Sequence, residues 1–270
     1  MESVFLECTC SDRFSAYETH FHNAYELIYV HAGAARFRIG TSCYTASAGS
    51  LLIISKLEEH SMEILEAPYR RTYIQLTTSQ LGRCLDEPRL KAVFSARPAG
   101  FRHLFDLSAV AAEADRLLGD IEAEYRTGGA FSERRLSALL QLLLILCRRT
   151  CPDQFPSSEQ PLPEAVVRAQ AYLDTHFTEP ISLDELAGRL YLSPSYLSHS
   201  FRSWTGYSPK QYLMLSRLSY ARQLLLTTTD SVTHIAAACG FSDVNNFIRS
   251  FKKETGHTPA SYRKHGADVT

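Results

Sequence analysis

The chain has 270 residues, 45% of them hydrophobic, with 28 basic and 29 acidic side chains and a formal charge of −1. That length accommodates two domains of roughly 100–200 residues each, and so balanced a charge points to no particular partner. Seven cysteines, an odd number without paired CxxC motifs, argue against a disulfide framework and fit a reducing compartment. The start, MESVFLECTCSDRF, lacks the basic-then-apolar pattern of a signal peptide. The longest apolar run, LLQLLLILC at 139–147, is less than half the ~20 residues of a membrane span. The expectation is a soluble, cytoplasmic protein with no membrane partner.

Up to about Leu76 the pattern is one of short strands. YELIYVH, ARFRI, YTASAG and SLLIIS are rich in β-branched and aromatic residues, and glycines 33, 40 and 49 separate them. Short strands broken at regular turns predict a small sandwich or barrel. After Asp106 the period changes: Leu107, Val110, Ala111, Ala114, Leu117, Leu118 and Ile121 recur at helical steps. RRLSALLQLLLILCRR (134–149) reads as a second helix, apolar over so much of its circumference that it needs partners on more than one side. Burial within its own domain and sharing with a second subunit both satisfy that need. PDQFPSSEQPLP (152–163) then holds four prolines and no hydrophobic period, which predicts a linker.

Beyond the linker the chain repeats itself. SFRSWTGYSPKQY (200–212) matches SFKKETGHTPASY (250–262) at Ser200/Ser250, Phe201/Phe251, Thr205/Thr255, Gly206/Gly256, Pro209/Pro259 and Tyr212/Tyr262. Upstream, with a slip of one residue, Leu186-Ala187 and Ser193 correspond to Ile235-Ala236 and Ser242. Two copies are too few for a solenoid, so a duplicated small unit is predicted.

Each copy reads as a helix-turn-helix. In the first, Ser182 and Glu185 form a capping box ahead of Leu183, Leu186, Ala187 and Leu190. Ser193-Pro194 then restarts a helix, with Tyr196, Leu197, Ser200, Phe201 and Trp204 facing inward and Gly206 as the stop. In the second copy Gly240 sits at the turn, Ser242 is the expected cap, Phe247 and Phe251 face inward, and Gly256 stops the helix. Ser208-Pro209 and Thr258-Pro259 open the helix after each unit.

Left outside are Ser195, Ser198, His199 and Arg202 in one copy, and Asp243, Asn245, Asn246, Arg249, Lys252 and Lys253 in the other. Such groups can reach base edges and phosphates. Charge agrees: between Phe201 and Lys264 nine basic residues stand against Asp230, Asp243 and Glu254. The connecting helix, 209–226, would span ~27 Å at 1.5 Å per residue. With its turns it could hold two helices in successive major grooves, ~34 Å apart.

On these residues the chain resembles the AraC/XylS family of bacterial transcription regulators over about 164–265, most closely in SDVNNFIRSFKKETGHTPASYRK. The resemblance implies a double helix-turn-helix that puts 194–204 and 243–254 into the major groove. Ser195, Ser198 and His199 would then face bases from the first helix, and Asn245 and Arg249, with apolar Val244, from the second. Asn246 belongs to the same DNA-binding set. Arg202, Lys252 and Lys253 would meet phosphates. Ser198 and His199 stand where longer donors are common, so the first helix is expected to read fewer bases.

The family also offers a precedent for the N-terminal half, a cupin-like barrel followed by dimerising helices. THFHNAYELIYVHAG contains H-x-H-x3-E-x6-G through His20, His22, Glu26 and Gly33, resembling the first cupin motif; Gly49 and His60 loosely resemble the second. In metal cupins three histidines and a glutamate bind a divalent ion. In regulators they more often line a pocket, and a purely structural role is the third option. The expectation adopted is an effector pocket formed by His20, His22, Glu26 and His60, with no metal, no cofactor and no catalytic residue.

The fold class that results is two-domain α+β. A cupin-like domain (1–105) leads through a helical dimerisation segment (106–151) and a Pro-rich linker (152–163) to an all-α domain (164–265) of two helix-turn-helix units joined by a linker helix. The resemblance implies double-stranded DNA, a small-molecule effector, a second copy of the chain and RNA polymerase as partners. The opposing function is a cupin-type metal-dependent enzyme with a helical appendage, and a protein-interaction module is the third.

Overall fold

A computed structural model describes residues 5, 7–12, 17–96, 100–155 and 163–267. It divides into two compact units, Met1–Pro163 and Glu164–Thr270. The first is built on a seven-stranded antiparallel sheet. Its strands are β1 (Glu7–Ser11), β2 (Tyr17–His20), β3 (Tyr25–Ile39), β4 (Ser42–Ser47), β5 (Ser50–Ile54), β6 (His60–Leu76) and β7 (Leu104–Asp106). The order is β1-β6-β3-β5-β7, with β2 also on β6 and β4 also on β3. Long β3 and β6 therefore form the spine, paired from Tyr25↔Leu76 to Ile39↔His60.

Two of the expected short strands are in fact one. YELIYVH and ARFRI run together as β3, and Gly33 marks a bulge within it, where the register against β6 shifts. Its φ is +73°, and a Cβ there would lie 2.4 Å from the Glu66 carbonyl oxygen, so only glycine fits where the two strands cross. β6 carried no sequence signal because Leu65–Pro68 run exposed in its middle, which erases the two-residue alternation.

Alternation along β3 creates two cores. Tyr25, Leu27 and Tyr29 face one way, onto α1 (Thr78–Cys84), α2 (Pro88–Ser95), α3 (Ala111–Thr127) and α4 (Ser132–Thr150). Ile28 and Val30 face the other, with Phe37, Leu52, Ile54 and Met62. α4 spends most of its apolar surface at home: Leu136, Leu139, Leu140, Leu143, Leu144, Leu146 and Cys147 are buried in the first core, and Leu142 is left half exposed. Pro152–Gln154 form one 3-10 turn, and Phe155 returns to the same core. The remainder of the expected linker, 156–162, lies outside the described residues.

The second unit is all helical: α5 (Glu164–His176), α6 (Leu183–Arg189), α7 (Pro194–Thr205), α8 (Pro209–Thr227), α9 (Val232–Ala238), α10 (Val244–Thr255) and α11 (Pro259–Ala267). The two copies coincide in chemical detail. Thr205 Oγ1 donates to Phe201 O at 2.7 Å, and Thr255 Oγ1 to Phe251 O at 2.8 Å. Phe201 meets Tyr212 edge-on at 5.4 Å, and Phe251 meets Tyr262 at 5.5 Å. An arginine also ties the last helix of each copy to backbone carbonyls, though from positions four residues apart in the repeat: Arg217 donates to those of Phe177 and Glu179, and Arg263 to those of Leu225 and Asp230.

The one-residue slip now has an address. Leu192 N donates to Ala187 O and Phe241 N to Ala236 O, both at 3.0 Å, so the copies run in step up to these residues. The next residue caps the helix in the first copy: Ser193 accepts from the Tyr196 amide. In the second copy Ser242 is an extra turn residue, and Asp243 is the cap. The expected Ser242 cap is thus corrected. A carboxylate satisfies two orphan amides where a hydroxyl satisfies one: Asp243 accepts from Asn245 N at 3.0 Å and Asn246 N at 3.1 Å. Gly240, at φ +81°, turns the chain so tightly that a Cβ would lie 2.5 Å from Thr178 O. Tyr191 holds the same left-handed position in the first copy, at φ 56°.

Candidate nucleic-acid interface and effector site

On α7, Ser195, His199 and Arg202 are exposed. Ser198 is half-buried and lines the edge of a cleft with Leu186, Leu213 and Met214. Tyr196, expected inside, is 54% exposed. The buried stripe consists of Leu197, Ser200, Phe201 and Thr205, and Tyr196 lies one step outside it, alongside Ser195 and His199. Caps fifty residues apart put Tyr196 in register with Asn246, so it joins the first helix's candidate surface. The signal was available: a phenol at the first turn of a capped helix, one residue before the apolar period begins.

On α10 the division between faces is sharp. Phe247 and Phe251 are fully buried; Asn245, Asn246, Arg249, Lys252 and Lys253 are exposed, and Val244 is half-buried. Both Asp243 oxygens serve the cap, which holds the carboxylate against the start of α10. Not all nine basic residues of this region are free to bind. Arg217 and Arg263 hold backbone carbonyls, and Arg222 Nε donates to Tyr262 Oη at 2.9 Å. Arg202, Lys210, Arg249, Lys252, Lys253 and Lys264 remain exposed. Charge and hydrogen-bonding capacity therefore concentrate on α7 and α10.

In the first unit the four sequence-selected polar residues converge. The β2–β6 register sets His20 opposite His60. The turn after β2 brings His22 back onto Glu26, and the Leu57 amide anchors that turn by donating to His22 O at 2.9 Å. Glu26, buried at 5% exposure, offers Oε2 to His22 Nε2 at 3.3 Å and to His60 Nε2 at 3.4 Å; Gln75 Nε2 donates to its other oxygen at 3.4 Å. Burial alone would raise the Glu26 pKa, but the two imidazoles outweigh it and hold the carboxyl well below its ordinary value. Ring nitrogens of His20, His22 and His60 all lie within 4.8 Å of one another.

Two further polar clusters escaped sequence reasoning. His103 Nδ1 meets the Tyr44 hydroxyl at 3.0 Å and its Nε2 meets Glu58 at 3.2 Å, joining β4 to the segment before β7. His31 is bonded to Asp115 of α3 at 2.6 Å and to Thr72 of β6 at 2.7 Å, which ties the sheet to its covering helix. Burial lowers the His31 pKa despite the neighbouring Asp115. Neither pairing could be read from spacing, because the partners are 84, 59, 45 and 41 residues apart.

A sheet-based unit with an enclosed polar cluster, followed by a duplicated helix-turn-helix, defines a DNA-binding transcription regulator with a sensing domain. Two family models match: an AraC-like ligand binding domain over residues 7–144 and a helix-turn-helix domain over 186–265. The chain belongs to the AraC family of transcriptional regulators. It is 25% identical over 269 residues to the HTH-type transcriptional activator RhaS of Pectobacterium carotovorum, covering 92% of this chain and 88% of that protein. It is 29% identical over 259 residues to the activator RhaR of Escherichia coli, covering 94% and 90%. ToxT of Vibrio cholerae shares the fold over 96% of this chain and 97% of its own, with a TM-score of 0.63 at 15% identity. An unsaturated fatty acid-bound ToxT structure matches with a TM-score of 0.60 at 17% identity, over 95% and 93%. Among the described residues no helix is long and apolar enough to cross a membrane.

Proposed function

We propose that this chain is a cytoplasmic, non-enzymatic regulator that sets α7 and α10 into successive major grooves of one operator. A small-molecule effector held near His20, His22, Glu26 and His60 would control that binding. The observation that carries the DNA reading is the matched construction of the two copies, down to the threonine and aromatic contacts behind each recognition helix. Packing conserved to that degree within one chain gives two equivalent outward faces. Ser195, Ser198, His199, Val244, Asn245, Asn246 and Arg249 are assigned to bases, with Tyr196 added, and Arg202, Lys252 and Lys253 to phosphates.

The effector would act through different affinities for DNA-competent and incompetent arrangements. The His31–Asp115 bond offers a route from the sheet into α3. Half-exposed Leu142 on α4 supports a homodimer built on the 106–151 segment. The relatives named as activators favour activation, with RNA polymerase as the further partner. Selection of bound duplexes from a random pool is the test: the reading requires a consensus with two blocks about one helical turn apart. Recovery without any consensus, or without retained DNA, refutes it.

A further inference from the structure

The turn of the first copy carries a side chain that the fold gives no reason to keep. Tyr191 stands at φ 56°, the left-handed position that Gly240 fills in the second copy. Glycine adopts that backbone freely, whereas an L side chain brings its Cβ against a carbonyl oxygen. In the second copy a Cβ would also strike Thr178 O at 2.5 Å, so glycine is required there on two counts. In the first copy Tyr191 is 93% exposed and adds nothing to the core. Backbone bonds hold the turn: Tyr191 N donates to Gly188 O at 3.1 Å and Leu192 N to Ala187 O at 3.0 Å. A bulky ring on a strained backbone, with no packing in return, points to a contact outside the chain.

The surroundings select an anionic partner. From Leu186 to Thr229 the sequence holds Arg189, Arg202, Lys210, Arg217 and Arg222 and no acidic residue. Tyr191 is two residues ahead of Ser193, the cap of α7, and a recognition helix meets base edges with its N-terminal residues. Tyr196, 54% exposed, follows three residues after that cap, so two phenols flank the end of α7 that would enter the groove. The second copy has Gly240 and Asn246 at these places. The exposed ring is thus continuous with the candidate DNA surface.

We infer that Tyr191 is a DNA contact of the first copy, its hydroxyl donating to a backbone phosphate at the groove edge and its ring covering the adjoining sugar. The inference rests on the DNA reading of α7 and deepens it. The first copy offers only Ser195, Ser198 and His199 to bases, and it gains its hold through neutral phenols. Counterion release follows from cations meeting phosphates, so a phenol adds affinity without adding salt dependence.

The test is binding of the full-length chain to a selected operator, by fluorescence anisotropy at several salt concentrations, with three variants. Tyr191→Gly and Tyr191→Asn keep a residue that accepts the left-handed backbone and remove the ring. Each should weaken binding by about 3–10-fold, the worth of one neutral hydrogen bond, and leave the salt slope unchanged. Tyr191→Phe, which keeps the ring, should lose less. The urea midpoint of Tyr191→Gly, followed by Trp204 fluorescence, should stay or rise. Full operator affinity in both Tyr191→Gly and Tyr191→Asn overturns the inference. So does a lowered midpoint in Tyr191→Gly, which would give the ring a structural role. Full affinity with loss of transcription by purified polymerase would assign Tyr191 to a protein face, and that also overturns it. Arg249→Ala separates the two failures: if it weakens binding while the Tyr191 variants do not, the DNA reading stands and this inference falls.

Discussion

Two arginines on the same unit, Arg217 and Arg249, should fail in opposite ways. Arg217 is half-buried, and its guanidinium donates to Phe177 O at 2.6 Å and Glu179 O at 2.7 Å. Charge-assisted bonds contribute about 1.5–3 kcal/mol each. Two of them, discounted for partial exposure, put the cost of Arg217→Ala at about 2–4 kcal/mol. Arg249 is exposed on α10, so Arg249→Ala should change stability by less than about 0.5 kcal/mol. The chain's single tryptophan, Trp204, lies in α7, so urea unfolding followed by its fluorescence reports the second unit selectively. With a slope of about 2 kcal/mol per molar urea, Arg217→Ala should lower the midpoint by roughly 1–2 M. Arg249→Ala should leave the midpoint in place and weaken operator binding by about 1–3 kcal/mol, or about 5–150-fold, with relaxed specificity at one base. An unmoved midpoint in Arg217→Ala, or full operator affinity in Arg249→Ala, would refute the division between framework and reading arginines.

Other expectations follow from the same structure. Lys252→Ala should reduce the slope of log affinity against log salt by about 0.9, measured by fluorescence anisotropy from low to moderate salt, with no change in consensus. Gly240→Ala should destabilise the second unit by about 1–3 kcal/mol in the tryptophan assay, because its Cβ meets Thr178 O at 2.5 Å. Gly188→Ala, helical and open on all sides, should be neutral or slightly stabilising. For His31 the folded pKa is depressed, so the folded state refuses a proton that the unfolded chain accepts. Stability of the first unit should be full above about pH 6.5 and fall as pH drops from there toward the folded pKa. His31→Gln should flatten that dependence in thermal melts between pH 8 and 5.5.

The helical unit was legible because its information is local. Ser182/Glu185, Ser193-Pro194 and Ser208-Pro209 state their helix starts within four residues, and each cap is formed as written. What failed there were one-residue questions. Ser242 and Asp243 are both acceptable caps, and only the backbone bonds shared by the two turns decide between them. The sheet was harder. β3 and β6 are long strands whose mutual register shifts mid-strand; β3 is buried on both faces from Tyr25 to Val30 and β6 is exposed on both from Leu65 to Pro68, so the alternation that marks a strand is lost in each. The polar cluster was half legible: His20, His22 and Glu26 are neighbours in sequence, and His60 was guessed from a loose motif. His60 reaches Glu26 only through the register in which β6 pairs with β2, which no pattern of side chains announces.

The central claim is a pair of reading helices on one duplex, and hydroxyl-radical footprinting of the full-length chain on a selected operator at moderate salt tests it most directly. The account predicts two protected segments on the same face, their centres about 10–10.5 base pairs apart, with Arg249→Ala thinning only the one that α10 contacts. A single protected segment, or two on opposite faces of the duplex, would contradict it.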